Sequence, residues 1–226
     1  MDDVKSHKRV NDILLGPLER PALAWLAARL PKWVTPDILT GLGLLAGILI
    51  ALSYWLTNYN KNFLWLASFG FFLNWFGDSL DGTVARFRKI ERPRYGFFID
   101  HNMDAVTSIL IFWGLGLSPY VDFKIAMLGL SSYLLVGVFV YILTYVTGVF
   151  RISSSKIGPT EIRAIAVLAN TIIYFVGNPK IEFPFGAYTL YSFIVFGVAI
   201  MLFGLFITNI VYEARNLLRA EEKGKT

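Results

Sequence analysis

Four aspartates lie at the ends of two strongly apolar segments, where a helix inside a bilayer would not normally carry charge. Asp78 and Asp81 follow the run FLWLASFGFFLNWFG. Asp100 and Asp104 precede AVTSILIFWGLGL. Their spacings, i and i+3 in the first pair and i and i+4 in the second, place each pair on one face of a helix. Carboxylates at this depth are costly unless they face a polar cavity and are paired or bind an ion, so the pattern predicts an oxygen-rich site for a hard divalent cation.

The apolar segments are the elements that must position these carboxylates. Of the 226 residues, 55% are hydrophobic and only 16% are charged, whereas about a quarter of residues are charged in average proteins. About 20 apolar residues in a helix cross a bilayer core. We therefore predict an all-α, polytopic membrane protein with six transmembrane helices, at 38–57, 63–82, 101–117, 125–150, 161–177 and 186–212.

The segment before the first predicted span, LERPALAWLAARLPKWVTP, favours a short amphipathic helix that begins at Pro21. Leu23, Leu26 and Leu30 share one of its faces at i, i+3 and i+7. Such a helix is expected to lie in the plane of the membrane interface. A short soluble linker is the alternative.

Basic residues are unevenly distributed between the connections. All but three of the 21 Lys and Arg residues fall in the N-terminal segment, the 86–94 loop, the 151–163 segment or the C-terminal tail; the exceptions are Lys61, Lys124 and Lys180. The positive-inside rule then places both termini and the aspartates at the cytoplasm.

This orientation suggests three parts of the chain. These are a cytoplasmic N-terminus with the juxtamembrane helix at 1–34, a six-helix catalytic domain at 35–215 and a cytoplasmic tail at 216–226. The net charge of +5 suits the anionic cytoplasmic leaflet, so the lipid bilayer is an expected partner and nucleic acid is not. The absence of cysteine excludes a thiolate metal site.

The residues around the aspartates resemble the signature of the CDP-alcohol phosphotransferase family. The pattern DxxDGxxAR occupies 78–86, and GxxxDxxxD follows at 96–104. The resemblance implies a six-helix membrane enzyme, usually a homodimer, that uses Mg²⁺ or Mn²⁺. Such enzymes transfer a phosphate-containing group from a CDP-linked donor to an alcohol and release CMP.

The resemblance also gives roles to the carboxylates. Cleavage of a pyrophosphate requires its negative charge to be neutralised, which one or two bound cations achieve. Asp78, Asp81 and Asp100 are the predicted metal ligands. Asp104 would complete the metal shell or accept the proton of the attacking hydroxyl, and the resemblance implies that it is the general base.

Five further residues are predicted to bind the donor. Gly82 would let the cytidine diphosphate approach the backbone, with Ala85 in a similar role, although close helix packing is the alternative. Arg86 suits a donor phosphate, or else serves as a basic anchor among lipid headgroups. The stretch TPDILT at 35–40 resembles the family's donor-binding start of the first span, which points to Asp37 and Thr40. A plain helix cap with intrahelical hydroxyl bonding is the alternative there.

The predicted acceptor residues come from two places. His101 stands beside Asp100, and the sequence DHNMD looks like that of the choline and ethanolamine phosphotransferases, which suggests that His101 orients the acceptor. Arg151, Lys156 and Arg163 are candidates for a basic pocket that binds a phosphorylated acceptor, such as a sugar or inositol phosphate. Alternatively, these three charges only orient the protein in the membrane.

We expect a CDP-linked lipid donor, most simply CDP-diacylglycerol, and an alcohol acceptor. The nearest alternative reverses these roles, with a CDP-aminoalcohol donor and diacylglycerol as acceptor. A membrane prenyltransferase would normally need a second aspartate-rich motif. A transporter is disfavoured because no internal repeat is visible and the carboxylates collect at one place.

Overall fold

The structure is a computed structural model that describes residues 14–148, 158–183 and 186–223. Within these ranges it contains seven helices and one two-stranded hairpin. The elements are α1 (Gly16–Arg29), α2 (Pro36–Leu56), α3 (Phe63–Phe87), α4 (Pro93–Gly116), α5 (Phe123–Thr147), α6 (Pro159–Val176), β1 (Lys180–Phe183), β2 (Gly186–Thr189) and α7 (Leu190–Lys223).

A helical membrane protein is confirmed. Four of the described helices, α2, α5, α6 and α7, are long and apolar enough to cross a bilayer. The other two predicted spans correspond to α3 and α4, in which the aspartate segments make one end of each helix polar. These polar ends are helical: α4 begins at Pro93, ahead of the predicted span at 101–117, and it carries Asp100 and Asp104 on one helix as predicted.

The hairpin between α6 and α7 was not predicted. Its strands pair antiparallel, with Lys180 opposite Thr189 and Phe183 opposite Gly186. Gly186 has φ +138°, a backbone conformation that favours glycine. The predicted start of the last span at 186 is therefore wrong, because β2 occupies 186–189 before α7 begins.

Helix α2 contacts α3 and α4 so closely that glycines are needed at the crossings. A Cβ atom on Gly77 of α3 would lie 2.5 Å from the Leu39 carbonyl oxygen and 2.7 Å from the Gly43 nitrogen. A Cβ atom on Gly114 of α4 would lie 2.4 Å from the Ala51 Cα atom of α2. Glycines at a contact face let two helix backbones come close together. The crossings of α2 with α3 and α4 therefore bring the aspartate-bearing ends of α3 and α4 together.

Helix α1 begins at Gly16, so the predicted start at Pro21 is wrong. Pro17, not Pro21, stands in the first helical turn, where the missing N–H of proline costs no hydrogen bond. The predicted leucine face is real, but it is used differently: Leu23 is buried in a cluster with Leu80 and Val84 of α3. The helix is held against α3 by protein contacts on this face.

Arg88, at the C-terminal cap of α3, fixes the end of α1, and this role was not predicted. Its guanidinium donates to four backbone carbonyls that follow or end α1. They belong to Leu30 (2.9 Å), Pro31 (3.0 Å), Lys32 (3.3 Å) and Val34 (2.6 Å). The Leu30 carbonyl, at the C-terminal cap of α1, is one that a helix end otherwise leaves without a partner, and the other three belong to the connection between α1 and α2.

A buried polar contact joins α2, α3 and α6 within the apolar core. Asn170 of α6 is 2% exposed. Its Oδ1 accepts a hydrogen bond from the Tyr54 hydroxyl at 2.9 Å, and its Nδ2 donates to the Ser68 hydroxyl at 3.2 Å. Both ends of the amide are thus satisfied, as burial in an apolar core requires.

Candidate metal and substrate site

Three of the four aspartates form a compact cluster between α3 and α4. Asp78, Asp100 and Asp104 each place one carboxylate oxygen so that the three atoms lie within 4.8 Å of one another, and all three residues are half-buried. Oxygens that ligate one hard cation at about 2.0–2.6 Å stand at most about 5 Å apart. The donor type and the size of the cluster therefore fit one Mg²⁺ or Mn²⁺ ion.

Asp81 lines the same pocket as the cluster, but its carboxylate is held by α2 and by its own helix. One oxygen accepts a hydrogen bond from the Thr40 hydroxyl at 2.7 Å, and the other accepts one from the Gly82 backbone N–H. The Thr40 hydroxyl also lies 3.1 Å from the Pro36 carbonyl oxygen, but it has one proton, and the contact with Asp81 is the shorter. Thr40 thus supports a predicted metal ligand, a role that was not predicted from the sequence.

Arg163 of α6 reaches into the carboxylate cluster. Its Nη2 donates to Asp78 at 2.6 Å, and its Nε donates to the Asn74 Oδ1 at 2.7 Å. The side chain is 13% exposed, and its Nη1 is buried without a hydrogen-bond partner among the described residues. Arg163 therefore binds two residues that line the pocket, Asn74 and Asp78, which a charge that serves only to orient the protein would not need to do. Arg151 and Lys156, its predicted neighbours, lie outside the described residues.

The predicted donor residues fall in two places. The Arg86 guanidinium folds back over Gly82, since a Cβ atom on Gly82 would lie 3.2 Å from the Arg86 Nη1. Ala85 is half-buried on the same turn of α3. Asp37 stands apart from the carboxylate cluster, in an exposed ion pair with Arg92.

His101 lies against Asp100 in an aromatic cluster. Its ring stacks on Phe97 with 4.1 Å between centroids and meets the Tyr141 ring of α5 edge-on at 5.2 Å. Its Nδ1 lies 3.6 Å from the Asp100 carboxylate and 2.9 Å from the Phe97 carbonyl oxygen. The histidine is therefore placed beside a predicted metal ligand on the α5 side of the site.

Two glutamates that were not predicted hold α1 and α6 around this site. Glu19 of α1 accepts hydrogen bonds from the Trp75 indole (2.8 Å) and the Ser79 hydroxyl (3.0 Å) of α3, and from the Thr160 hydroxyl (2.9 Å) of α6. Glu161 accepts from the backbone N–H groups of Leu15 (2.7 Å) and Gly158 (2.8 Å). Only the Gly158 contact has a local sequence signal, the glutamate three residues into a helix.

Comparison with known proteins agrees with this geometry. Residues 33–210 match the family model described as CDP-alcohol phosphatidyltransferase. The chain is 28% identical to chicken (Gallus gallus) cholinephosphotransferase 1 over 177 residues, which are 73% of this chain and 51% of that protein. It is 27% identical to the human cholinephosphotransferase 1 over 174 residues, 73% of this chain and 42% of that protein.

A bacterial relative has a name that denotes a different activity. Over 91 residues the chain is 35% identical to a phosphatidylinositol phosphate synthase from Cutibacterium acnes, which covers 40% of this chain and 41% of that protein. The chain spans about half the length, or less, of these curated relatives. The family match covers most of the chain and includes all four aspartates. The chain therefore belongs to the CDP-alcohol phosphatidyltransferase family.

Proposed function

We propose that this protein is a metal-dependent CDP-alcohol phosphotransferase, a transferase of substituted phosphate groups that works at a membrane. The observation that carries the proposal is the cluster of Asp78, Asp100 and Asp104, whose oxygens lie within 4.8 Å of one another. These aspartates belong to the signature on which the resemblance rests, and the family match supports the same reaction class.

Each carboxylate has a role in the proposed reaction. Asp78, Asp100 and Asp104 would hold a Mg²⁺ or Mn²⁺ ion, with Asp81 as a further ligand or as the ligand of a second ion. When bound, the cation neutralises the donor pyrophosphate and holds its oxygens. Asp104 would take the proton from the acceptor hydroxyl while that oxygen forms a bond to phosphorus and the bond from phosphorus to the CMP oxygen breaks.

The proposed donor is CDP-diacylglycerol, and the proposed acceptor is an alcohol that carries a phosphate. Arg163 supports a phosphorylated acceptor because it brings to the carboxylates a guanidinium whose buried Nη1 has no hydrogen-bond partner within the described part of the chain, and a guanidinium binds phosphate oxygens well. The similarity to a phosphatidylinositol phosphate synthase agrees with this choice. Gly82, Ala85 and Arg86 would contact the donor, with Asp37 and Thr40 at the start of α2.

A second candidate is transfer of an aminoalcohol phosphate from CDP-choline or CDP-ethanolamine to diacylglycerol. Two observations favour it. The cholinephosphotransferases match over a larger share of this chain than the bacterial relative does. In addition, His101 sits with Phe97 and Tyr141 in an aromatic cluster beside Asp100, and aromatic faces attract quaternary ammonium groups.

One assay separates the two candidates. In the first arm, the purified protein in detergent is given CDP-diacylglycerol with a panel of phosphorylated and neutral alcohols. In the second arm it is given CDP-choline with diacylglycerol. CMP release is measured in both arms. We expect release in the first arm, with a phosphorylated acceptor preferred. Release in the second arm alone would establish the aminoalcohol reaction, and release in neither arm would refute both candidates.

The membrane arrangement is also proposed. Six spans, α2 to α7, would place both termini and the aspartates at the cytoplasm, which the distribution of Lys and Arg supports. Helix α7 has 34 residues, or about 51 Å at 1.5 Å per residue, so it would cross a core of about 30 Å and continue into the proposed tail at 216–226.

Three further features of this arrangement remain predictions. Helix α1 would lie at the interface within the proposed cytoplasmic part at 1–34, with its exposed Leu18 and Trp25 toward lipid headgroups and its leucine face on α3. The catalytic domain would span 35–215. A homodimer is expected from the resemblance to the family.

A further inference from the structure

We propose that Asn74 is a positioning residue that fixes the Arg163 guanidinium beside the carboxylate cluster. The inference rests on the proposed function. Asn74 lies outside the DxxDGxxAR pattern, one helical turn before Asp78 on α3.

The contacts of Asn74 determine how its amide is oriented. The residue is 4% exposed. Its Oδ1 accepts the hydrogen bond from the Arg163 Nε at 2.7 Å, and its Nδ2 donates to the Gly43 carbonyl oxygen of α2 at 2.9 Å. Arginine offers only donors and a carbonyl only an acceptor, so the amide satisfies both partners in one orientation alone. Asn74 thereby links α2 to Arg163 of α6, the residue proposed to bind the acceptor.

Two acceptors on one face of α3 hold the guanidinium plane. Asn74 and Asp78 are separated by four residues and so lie one above the other on the helix. They bind the Nε and Nη2 of Arg163, respectively. The guanidinium is rigid and planar, so two fixed nitrogens also fix the direction of the third, Nη1. That nitrogen is the one for which residues 14–148, 158–183 and 186–223 provide no hydrogen-bond partner.

Removal of the amide would free the guanidinium to turn. A guanidinium with only a carboxylate for a partner prefers the bidentate arrangement, in which it covers both oxygens. Arg163 would then occupy more of Asp78 and compete with a cation for that carboxylate. We therefore expect loss of Asn74 to raise the cation concentration that the protein requires.

Asn170 provides a matched control for a purely structural role. It is also a buried asparagine, and it joins the same three helices, α2, α3 and α6. Its partners are Tyr54 and Ser68, which do not line the carboxylate pocket. Asn74→Leu and Asn170→Leu therefore remove comparable helix contacts, but only the first disturbs Arg163.

The test uses the full-length protein in detergent and two readouts. One is the Mn²⁺ concentration that gives half-maximal CMP release, and the other is the rise in Tm that Mn²⁺ produces. We expect both Leu variants to lower the Tm of the cation-free protein. Only Asn74→Leu should raise the half-maximal Mn²⁺ concentration, by about fivefold or more, and reduce the Tm rise at a fixed Mn²⁺ concentration. An equal shift in Asn170→Leu would overturn the proposal.

A double-mutant cycle shows whether Asn74 acts through Arg163. In protein that carries Arg163→Ala, adding Asn74→Leu should change the Mn²⁺ requirement by less than about twofold, because the positioned group is gone. Effects that multiply would show an independent, structural role and overturn the proposal.

Two further measurements keep the test decisive. If Asn74→Leu does not fold, Arg163→Lys is tested in its place. A single ammonium cannot hold both acceptors, Asn74 and Asp78, so this variant should also raise the Mn²⁺ requirement. An unchanged requirement would refute the proposal. If the unmodified protein releases no CMP from any donor, the proposed function fails, while the Tm response to Mn²⁺ still decides the role of Asn74.

Discussion

The hydrogen bond from Thr40 to Asp81 gives a sharp test of how the site is held. Thr40→Val removes the hydroxyl but keeps the side-chain shape, so no cavity forms. Asp81 then loses one of its two hydrogen bonds, at 2.7 Å, and keeps only the Gly82 N–H. A hydrogen bond to an ionised group contributes about 1.5–3 kcal/mol, which corresponds to a rate factor of about 10 to 150.

Steady-state CMP release at varied donor and Mn²⁺ concentrations measures this effect. We expect kcat to fall by about 10-fold or more and the Mn²⁺ requirement to rise, because Asp81 loses its support. The proposed donor contact of Thr40 would add a rise in the donor KM. Thr144→Val is the control, because the hydroxyl of the buried Thr144 donates within its own helix, to the Val140 carbonyl oxygen. A Thr40→Val enzyme that loses only donor affinity would show that Thr40 acts through the donor alone and not through Asp81. One that matches Thr144→Val would refute any role for the contact with Asp81.

Three further predictions concern the packing, the base and the topology. Gly77→Ala should destabilise the protein by about 1–3 kcal/mol, because the new Cβ atom meets the α2 backbone. The control Gly41→Ala, whose Cβ atom would have no neighbour within 4 Å, should not, and equal Tm values for the two variants in thermal unfolding would contradict the tight crossing. Asp104→Asn should keep donor binding within a few-fold while the rate falls by about 10²–10⁴, and complete loss of donor binding would identify Asp104 as chiefly a ligand. Because the chain has no cysteine, the single variants Lys61→Cys and Lys89→Cys can each be labelled in intact cells with a maleimide that does not cross the membrane. Only Lys61→Cys, on the proposed outer side, should react. Reaction of Lys89→Cys alone would show that the proposed orientation is inverted.

The features that the sequence predicted well are local ones. The helices that carry the aspartates follow from apolar runs of sufficient length, and the pairing of Asp100 with Asp104 on one face follows from helix periodicity. The helix cap given as the alternative role of TPDILT is local too, and it is present: the Thr35 hydroxyl accepts a hydrogen bond from the Ile38 N–H at 3.3 Å.

The missed contacts join residues that are distant in sequence. Thr40 contacts Asp81, and Asn74 contacts Arg163. These contacts depend on how far each helix is shifted along its neighbour, which close crossings such as that at Gly77 determine. Periodicity gives the face of a residue but not the neighbouring helix that it meets. The error at the start of α1 has a different cause, since Pro17 and Pro21 carry the same sequence signal and only packing on α3 separates them.

Dependence of CMP release on a divalent cation tests the central claim most directly. Three purified proteins are treated with excess EDTA: the unmodified protein, Asp100→Ala and the control Glu182→Gln, which alters an exposed residue of β1. Mg²⁺ or Mn²⁺ is then added back to each. We predict no release in EDTA, recovery on cation addition for the unmodified protein and the control, and no recovery for Asp100→Ala. Release that persists in EDTA, or full recovery of Asp100→Ala, would contradict a carboxylate-bound cation as the basis of the reaction.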